Sequence, residues 1–282
     1  MHTTFLLAAL AITASAIAGD DCDRRAWGLS ERDCAIEHFL RNAEVTKIED
    51  IGEGITKPQR LTLELGGVVR RAIFKDVDIH RNEIAYTNRL ETSFHDSYSY
   101  EVAAYRIDRL LNIGLVPVTV LREVNGVPGS VQLWIENVVS LQDMVDSGID
   151  CRNPDRLLHN LMLMYVLDAV IFNIDRNYGN VLVDAEEKVF YLIDHSRSFR
   201  NSKRLPKLQE ARPIPIPARV ATGLRNLTRE TIDARTGDLL TKAQRRTIMK
   251  RRDELLEQLD SRSLLPETVL AHAPTANESG TG

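Results

Sequence analysis

Hydrophobic and polar positions alternate in the first half of the chain as they do in β-strands. Leu61, Leu63 and Leu65 are separated by polar residues, two glycines follow, and the run VVRRAIFK then extends to Lys75. Period-two alternation interrupted by a glycine turn is typical of antiparallel strands that bury one face. Residues 45–75 are therefore predicted to form an antiparallel meander.

One amphipathic helix is predicted in the same half. In YSYEVAAYRIDRLLN, residues 98–112, apolar side chains recur at helical spacing. Two β-branched or apolar runs, 116–121 and 130–135, flank an Asn125-Gly126 pair, which is a strong hairpin signal. The first half is thus predicted to be mostly sheet with a single helix.

The second half has a helical pattern. Residues 157–174 are apolar nearly all round, as expected of a helix buried at the centre of a domain. Residues 241–259 are predicted to form a charged amphipathic helix, with Ile248, Leu255 and Leu259 on its inner face. Together the two halves predict an α+β fold.

The N-terminal residues have the pattern of an export signal. Residues 5–18 are small and apolar, they end in the small-x-small site Ala-Ile-Ala, and acidic residues follow Gly19. A membrane anchor is the alternative, but fourteen apolar residues fall short of the roughly 20 that a spanning helix needs. We expect cleavage before Gly19. In an exported protein Cys22 and Cys34 could form a disulfide, with unpaired thiols as the alternative.

Composition narrows the range of partners. The 282 residues are 43% hydrophobic and carry a formal net charge of -4, with a sequence pI near 6.0. Nucleic-acid-binding proteins usually carry a clustered basic surface, so nucleic acid is not expected as a partner. After the N-terminal run no stretch is long and apolar enough to span a bilayer, and we expect no transmembrane span.

The strongest chemical signal is NIDRNYGNVLV, residues 173–183, directly after the predicted buried helix. Asp175 and Asn180 have the spacing of a kinase catalytic loop, and Asp194 ends the apolar run that follows. Phosphoryl transfer needs a carboxylate that orients the acceptor hydroxyl, and oxygen ligands that hold metal ions against the phosphates. We interpret Asp175 as the catalytic acid and Asn180 and Asp194 as metal ligands. The alternative is that all three are turn residues.

Two residues of the sheet-rich half complete this pattern. Lys75 ends an apolar strand, and Glu101 opens the predicted helix. A lysine there can hold nucleotide phosphates while the helix glutamate positions it or ligates metal. Taken singly, a lysine after a strand, such as Lys75, is more often an exposed strand end. A glutamate at a helix start, such as Glu101, is more often a first-turn acid favoured by the helix dipole.

A glycine-containing loop, GEGITKP, lies between two predicted strands. In it Gly52, Gly54 and Thr56 could close over phosphates through backbone amides. The loop is not followed by Gly-Lys-Ser/Thr and opens no predicted helix, which excludes a Walker-type loop.

The order of FK, EVAAYRIDRLLN, NIDRNYGN and LIDHSRSF resembles the secretory-pathway kinases of the Fam20 and four-jointed type, and more distantly the phosphatidylinositol 3- and 4-kinases and the HipA-type kinases. The resemblance covers about residues 48–199. It implies a bilobal protein-kinase-like fold, with an antiparallel-sheet N-lobe that contains one helix and a mainly helical C-lobe.

By the same likeness Lys75 matches the phosphate-binding lysine, Glu101 the helix glutamate, Asp175 the catalytic acid, Asn180 the loop metal ligand and Asp194 the metal aspartate. Glu136, in WIEN, occupies the position of the hinge that meets adenine. Two positions depart from the pattern, because Asn177 stands where His is frequent and Ser196 where Gly is frequent.

The sequence therefore predicts an ATP-dependent phosphotransferase that uses Mg²⁺ or Mn²⁺ and acts on a hydroxyl of a protein, glycan or lipid. A secreted or extracytoplasmic location is expected. A pseudokinase that acts as a nucleotide-binding regulatory or scaffold module is the alternative, and a binding protein without nucleotide is a third interpretation. The sequence indicates no particular oligomeric state. The expected organisation is a signal peptide at 1–18, a leader at 19–44, an N-lobe at 45–137, a C-lobe at 138–265 and a disordered tail at 266–282.

Overall fold

The computed structural model describes residues 29–52, 57–86, 89–148, 154–184, 189–206 and 216–263. Its first helix, α1, spans Glu31–Asn42 and begins at a capping box. The Ser30 hydroxyl accepts the backbone N–H of Asp33, while the Asp33 carboxylate accepts the backbone N–H of Ser30. The inner face of α1 buries Ile36, Phe39 and Leu40, so the segment before the main sheet is part of the packed fold.

Several predictions about the ends of the chain fall outside the described residues. These are the signal peptide at 1–18, the tail at 266–282 and Cys22. Cys34, on α1, is disulfide-bonded.

Seven strands follow α1 in the described part of the N-lobe, and five of them form one antiparallel sheet. The sheet has the order β1-β2-β3-β7-β6, and β4 pairs with β5 as a separate hairpin. The strands are β1 Glu44–Asp50, β2 Gln59–Leu65, β3 Val68–Lys75, β4 Asp78–Tyr86, β5 Arg89–Ser97, β6 Thr119–Val124 and β7 Val127–Leu133.

The pleat of β3 sorts its side chains onto two faces of the sheet. Ala72 and Phe74 are buried in the core, together with Leu61 and Leu63 of β2. Lys75 lies on the opposite, partly exposed face, because successive residues of a strand point to opposite sides. The alternation that predicts the strand therefore also places its lysine away from the core.

Helix α2, Tyr98–Leu110, packs against β6 and β7 of this sheet and ends at a loop that its own aspartate organises. The Asp108 carboxylate accepts the backbone N–H groups of Gly114, Leu115 and Val116. Burial raises the pKa of Asp108 above its usual range, although Arg109 acts in the opposite direction. The loop after α2 is thus held by a buried side chain.

The remaining elements form the helical lobe around α4. They are β8 Val138–Ser140, α3 Leu141–Asp146, α4 Pro154–Ile171, β9 Val181–Asp184, β10 Phe190–Leu192, α5 Ala218–Asn226, α6 Arg229–Thr236 and α7 Lys242–Ser263. The short strands pair in the order β10-β9-β8. Helix α4 is buried on nearly all sides along its last turns, as its apolar sequence predicts. None of the helices in the described ranges is long and apolar enough to cross a membrane.

Most predicted elements are present, and the differences have local causes. The Asn125-Gly126 turn has positive φ at both residues, 51° and 82°, as a two-residue hairpin requires. The predicted strand at 116–121 begins only at Thr119, because the preceding backbone N–H groups bind Asp108 instead of a strand. The predicted helix at 157–174 lies at 154–171 and ends before Phe172, whose φ is 53°.

The packing of α5 on the end of α2 yields a stability prediction. A Cβ added to Gly223 would lie 2.6 Å from the carbonyl oxygen of Leu111, and backbone cannot move aside as a flexible side chain can. Gly223→Ala should therefore destabilise the protein by about 1–3 kcal/mol, whereas a free helix position would gain about 1 kcal/mol. Urea unfolding measures the difference, with the exposed neighbour change Thr222→Ala as the control. A Gly223→Ala protein more stable than the parent would contradict this packing.

Candidate active site

Three charged side chains from three different elements meet at one point. Lys75, at the end of β3, places Nζ 2.5 Å from Oε1 of Glu101 in α2 and 2.9 Å from Oδ1 of Asp194, which follows β10. The side chains are 15%, 2% and 42% exposed in that order. The structure thus brings together three residues that the sequence analysis selected independently of their distance in space.

The charges of this triad depend on one another. Burial alone would lower the pKa of Lys75, but Glu101 and Asp194 raise it above the usual lysine range. Burial alone would raise the pKa of Glu101, but Lys75 and then His195 lower it below the usual glutamate range. At neutral pH the lysine is therefore protonated and Glu101 is ionised, so the buried pair stays charged.

Asp194 has a left-handed backbone, with φ at 59°. Non-glycine residues adopt this conformation rarely, and the surrounding structure has to hold them in it. Two flanking bonds do so. The N–H of Ile193 donates to the carbonyl of Asn180 at 3.2 Å, and the N–H of His195 donates to Oε2 of Glu101 at 3.0 Å. The backbone on both sides of Asp194 is therefore fixed.

The loop after α4 is built around Asp175. Oδ1 of Asn173 accepts the backbone N–H of Asp175 at 3.0 Å, and Nδ2 of Asn180 donates to the Asp175 carbonyl at 3.4 Å. A 3-10 turn, Tyr178–Asn180, closes the loop. Because the Asn180 carbonyl also accepts from Ile193, the loop is joined to the strand end beside Asp194.

Arg176 ties this loop to α4. Its Nε and Nη2 donate to the two carboxylate oxygens of Asp168, both at 3.0 Å. Its Nη1 donates to the carbonyls of Asn180 and Ile193, both at 2.9 Å. One guanidinium, 10% exposed, therefore fastens the loop and the β10 strand end to the same helix.

His195 connects Arg176 to the Lys75–Glu101 pair. Its side chain is fully buried, and Nε2 lies 3.0 Å from Nη2 of Arg176. A guanidinium can only donate, so Nε2 is the acceptor and the ring proton is on Nδ1, 3.5 Å from Oε2 of Glu101. A polar chain therefore runs from Lys75 through Glu101, His195 and Arg176 to Asp168, in which the backbone N–H of His195 makes the bond to Glu101 and its ring makes the bond to Arg176.

Asp175 itself is held through its side chain by Arg197. Nη1 of Arg197 donates to Oδ2 of Asp175 at 3.1 Å. The arginine side chain is 17% exposed and the aspartate side chain is 44% exposed. The acid is thus accessible to solvent while one of its oxygens is bound.

The predicted phosphate loop and hinge are described only in part. Gly52 has a φ of 73°, and Gly54 and Thr56 lie outside the described residues. The Glu136 carboxylate accepts from Nε of Arg71 on β3 at 2.8 Å, and the backbone N–H of Trp134 donates to the Arg71 carbonyl at 3.1 Å. The segment between the lobes is therefore bonded to β3, and the side chain of Glu136 is engaged there.

Four residues of this network were given no role from the sequence: Asp168, Arg176, His195 and Arg197. Asp168 has a detectable signal, because it is a single acid in the otherwise apolar run LMLMYVLDAVI, and a buried acid needs a partner. His195 and Arg197 have no comparable signal, since the side chains that they contact lie far away in sequence.

Solved structures resemble this chain although sequences do not. No family profile matches it, and a search of curated proteins gives no match. The Golgi casein kinase, also solved with Mn/ADP bound, has a TM-score of 0.59 and 16% identity over 84% of this chain and 77% of that one. Hydra Fam20, solved with sugar, has a TM-score of 0.63 and 16% identity over 86% of this chain and 96% of that one. The Helicobacter pylori proinflammatory kinase CtkA has a TM-score of 0.51 and 10% identity over 80% of this chain and 99% of that one.

At 10–16% identity this similarity establishes the fold. The chain has an α+β, Fam20-like atypical kinase fold, with an antiparallel sheet in the first lobe and a mainly helical second lobe. The predicted fold class is confirmed.

The buried Arg176–Asp168 pair yields a prediction with an internal control. Asp168→Ala would leave Arg176 buried without its carboxylate, and breaking a buried ion pair typically costs about 3–5 kcal/mol. Asp260→Ala breaks the exposed Arg225–Asp260 pair, whose side chains are 54% and 68% exposed, and should cost about 0–1 kcal/mol. Urea unfolding of both variants measures the costs, and equal costs would contradict the structural role of Asp168.

Proposed function

We propose that this protein is an ATP-dependent kinase that transfers the γ-phosphate of ATP to a hydroxyl group. The observation that carries the proposal is the contact of Lys75 with both Glu101 and Asp194, in a fold shared with Fam20-like kinases. Kinases use a lysine paired with a helix glutamate, beside a metal-binding aspartate, to hold the nucleotide phosphates and their metal.

In this proposal Lys75 binds phosphate and Glu101 positions it. An ammonium group has three donors, and the two contacts with Glu101 and Asp194 leave one for a phosphate oxygen. The loop that contains Gly52, Gly54 and Thr56 would cover the phosphates through its backbone amides. The segment at Glu136 would meet adenine through its backbone, because its carboxylate is engaged by Arg71.

The residues present fit Mg²⁺ or Mn²⁺ bound with the nucleotide. The Asp194 carboxylate is half exposed, and Asn180 donates through Nδ2, so its amide oxygen can serve as a ligand. Groups of three or more His, Cys, Asp or Glu that could hold a metal by themselves do not occur among the described residues. Substrate phosphates would supply the further oxygen ligands, as is usual for Mg²⁺. The metal would neutralise charge on the phosphates.

Asp175 is the residue that would orient the acceptor. Its half-exposed carboxylate keeps Oδ1 without a donor in the described part of the protein, so that oxygen can accept the hydroxyl proton. As the hydroxyl oxygen bonds to the γ-phosphorus and the bond to ADP breaks, the proton passes to Asp175. Asn173 and Asn180 hold the backbone of the acid during this step.

The proposed setting is secreted or extracytoplasmic, with a hydroxyl of a protein, glycan or lipid as the acceptor. Two neighbours support it by name, a Golgi casein kinase and a Fam20 solved with sugar. The disulfide at Cys34 supports an oxidising compartment, since cytosolic thiols are kept reduced. Cleavage of residues 1–18 before Gly19 is part of the same proposal.

A nucleotide-binding module without turnover is the second candidate, because Asp175 is ion-paired with Arg197. Purified protein with labelled ATP and Mg²⁺ or Mn²⁺, assayed against protein, glycan and lipid pools, separates the two. Phosphate transfer to any pool supports the kinase. ATP binding without transfer to any pool supports the module.

For the metal site we expect Asp194→Ala to abolish metal-dependent ATP binding while the fold is retained. ATP and Mg²⁺ at about 100 times their dissociation constant should stabilise the parent by about 2.7 kcal/mol, and the variant should show no such gain. Thermal unfolding with and without ATP and Mg²⁺ is the measurement, and Asp260→Ala serves as a control that should respond like the parent. A full response of Asp194→Ala would exclude this aspartate as a ligand.

For the catalytic acid we expect Asp175→Asn to lower kcat by about 10²- to 10⁴-fold with little change in KM for ATP. Asparagine keeps the shape of the side chain and an oxygen that can accept from Arg197, so the change isolates the charge. Initial phosphorylation rates over a range of ATP concentrations give both constants. A rate within about threefold of the parent, well below the loss expected for a missing base, would mean that Asp175 only shapes the turn.

A further inference from the structure

We propose that Arg197 is a positioning residue for phosphoryl transfer, which fixes the carboxylate of Asp175 relative to Asp194; the inference rests on the proposed kinase function. Nη1 of Arg197 lies 3.1 Å from Oδ2 of Asp175. The arginine side chain is the more enclosed partner, with 17% exposure against 44%. The enclosed side chain has less freedom to move, so the arginine sets the position of the acid.

The backbone of Arg197 is held on its C-terminal side. The N–H of Ser198 donates to the carbonyl of His195 at 3.0 Å, and the N–H of Phe199 donates to the carbonyl of Ile171, the last residue of α4, at 2.7 Å. His195, Ser198 and Phe199 are all buried. Arg197 is therefore mounted on a short, fixed turn.

The same turn carries Asp194 at its other end. His195 joins the turn to Glu101 through its backbone N–H and to Arg176 through its ring. Arg197 thus connects two carboxylates whose relative position matters during transfer. Asp194 lies on the turn itself, and Asp175 lies on the opposite loop. Only the arginine contact restrains the side chain of Asp175 among the described residues.

This restraint has a catalytic consequence. A carboxylate that is half exposed can rotate, and a misplacement of about 1 Å at a reacting group can cost about 10²-fold in rate. With Oδ2 bound to Arg197, Oδ1 is left for the acceptor hydroxyl. A guanidinium can only donate, so Arg197 does not compete with Asp175 for the proton of the acceptor hydroxyl.

A positioning residue and a nucleotide ligand have different kinetic signatures. Loss of an interaction that acts through Asp175 lowers kcat, whereas loss of an interaction with ATP raises KM for ATP and weakens binding. The effect of Arg197 should also disappear once Asp175 has been removed, because two residues that act as one unit are not additive.

The experiment compares Arg197→Ala and Arg197→Lys with Arg106→Ala. Arg106 is a matched control, because its side chain is also 17% exposed and pairs with a half-exposed aspartate, Asp238. We expect Arg197→Ala to lower kcat by about 10- to 100-fold with KM for ATP within about threefold of the parent. Arg197→Lys, which keeps a donor and the charge, should lose less, and Arg106→Ala should keep the parental kcat. ATP-and-Mg²⁺-dependent thermal stabilisation verifies that each variant is folded.

The Arg197→Ala change is then repeated on an Asp175→Ala background, which removes the contact altogether. We expect the double variant to differ from Asp175→Ala by less than about threefold. Three results would overturn the inference while the kinase function stands. They are parental kcat in Arg197→Ala, an additive loss in the double variant, and a loss of ATP binding in both Arg197 variants. A parent without phosphate transfer would overturn the proposed function, and the inference with it.

Discussion

The buried guanidinium of Arg176 is the interaction on which the rest of the site depends. A buried cation has to be paired and its donors have to be satisfied, and here Asp168 supplies the charge. The remaining donors bind backbone carbonyls of Asn180 and Ile193 and the ring of His195. Because these acceptors lie beside the carboxylates of Asp175 and Asp194, satisfying one arginine also fixes the loop that carries Asp175 against the strand end.

Glu101 performs the equivalent task between the lobes. One carboxylate oxygen binds Lys75 on the sheet, and the other accepts the backbone N–H of His195 in the helical lobe. A second bond, from the backbone N–H of Ser97 to the carbonyl of Ser196, joins the same two parts of the chain. Helix α2 is therefore fixed to the second lobe at its N-terminal end, and the Lys75 ammonium is held beside Asp194 as a result.

The sequence predicts the elements better than their connections. Alternation and helical spacing locate the strands, α2 and α4, and the order of Lys75, Glu101, Asp175 and Asp194 indicates a kinase-like site. The β4–β5 hairpin and the network around His195 were not predicted. Local pattern carries information about neighbours along the chain, whereas the network around His195 joins residues far apart in sequence, whose proximity is decided by tertiary packing.

Exposure separates the acids that build the site from those available for chemistry. Glu101 and Asp168 are almost fully buried and their oxygens are bound to Lys75, His195 or Arg176, so neither can accept a proton from a substrate or bind a metal without losing one of these bonds. Asp194 and Asp175 are 42% and 44% exposed and each makes a single ion pair among the described residues. Composition alone does not distinguish these four acids. The difference in roles follows from burial. A buried carboxylate has to keep its partners and is therefore structural, whereas an exposed carboxylate can be reached by water and ligands and is free to react.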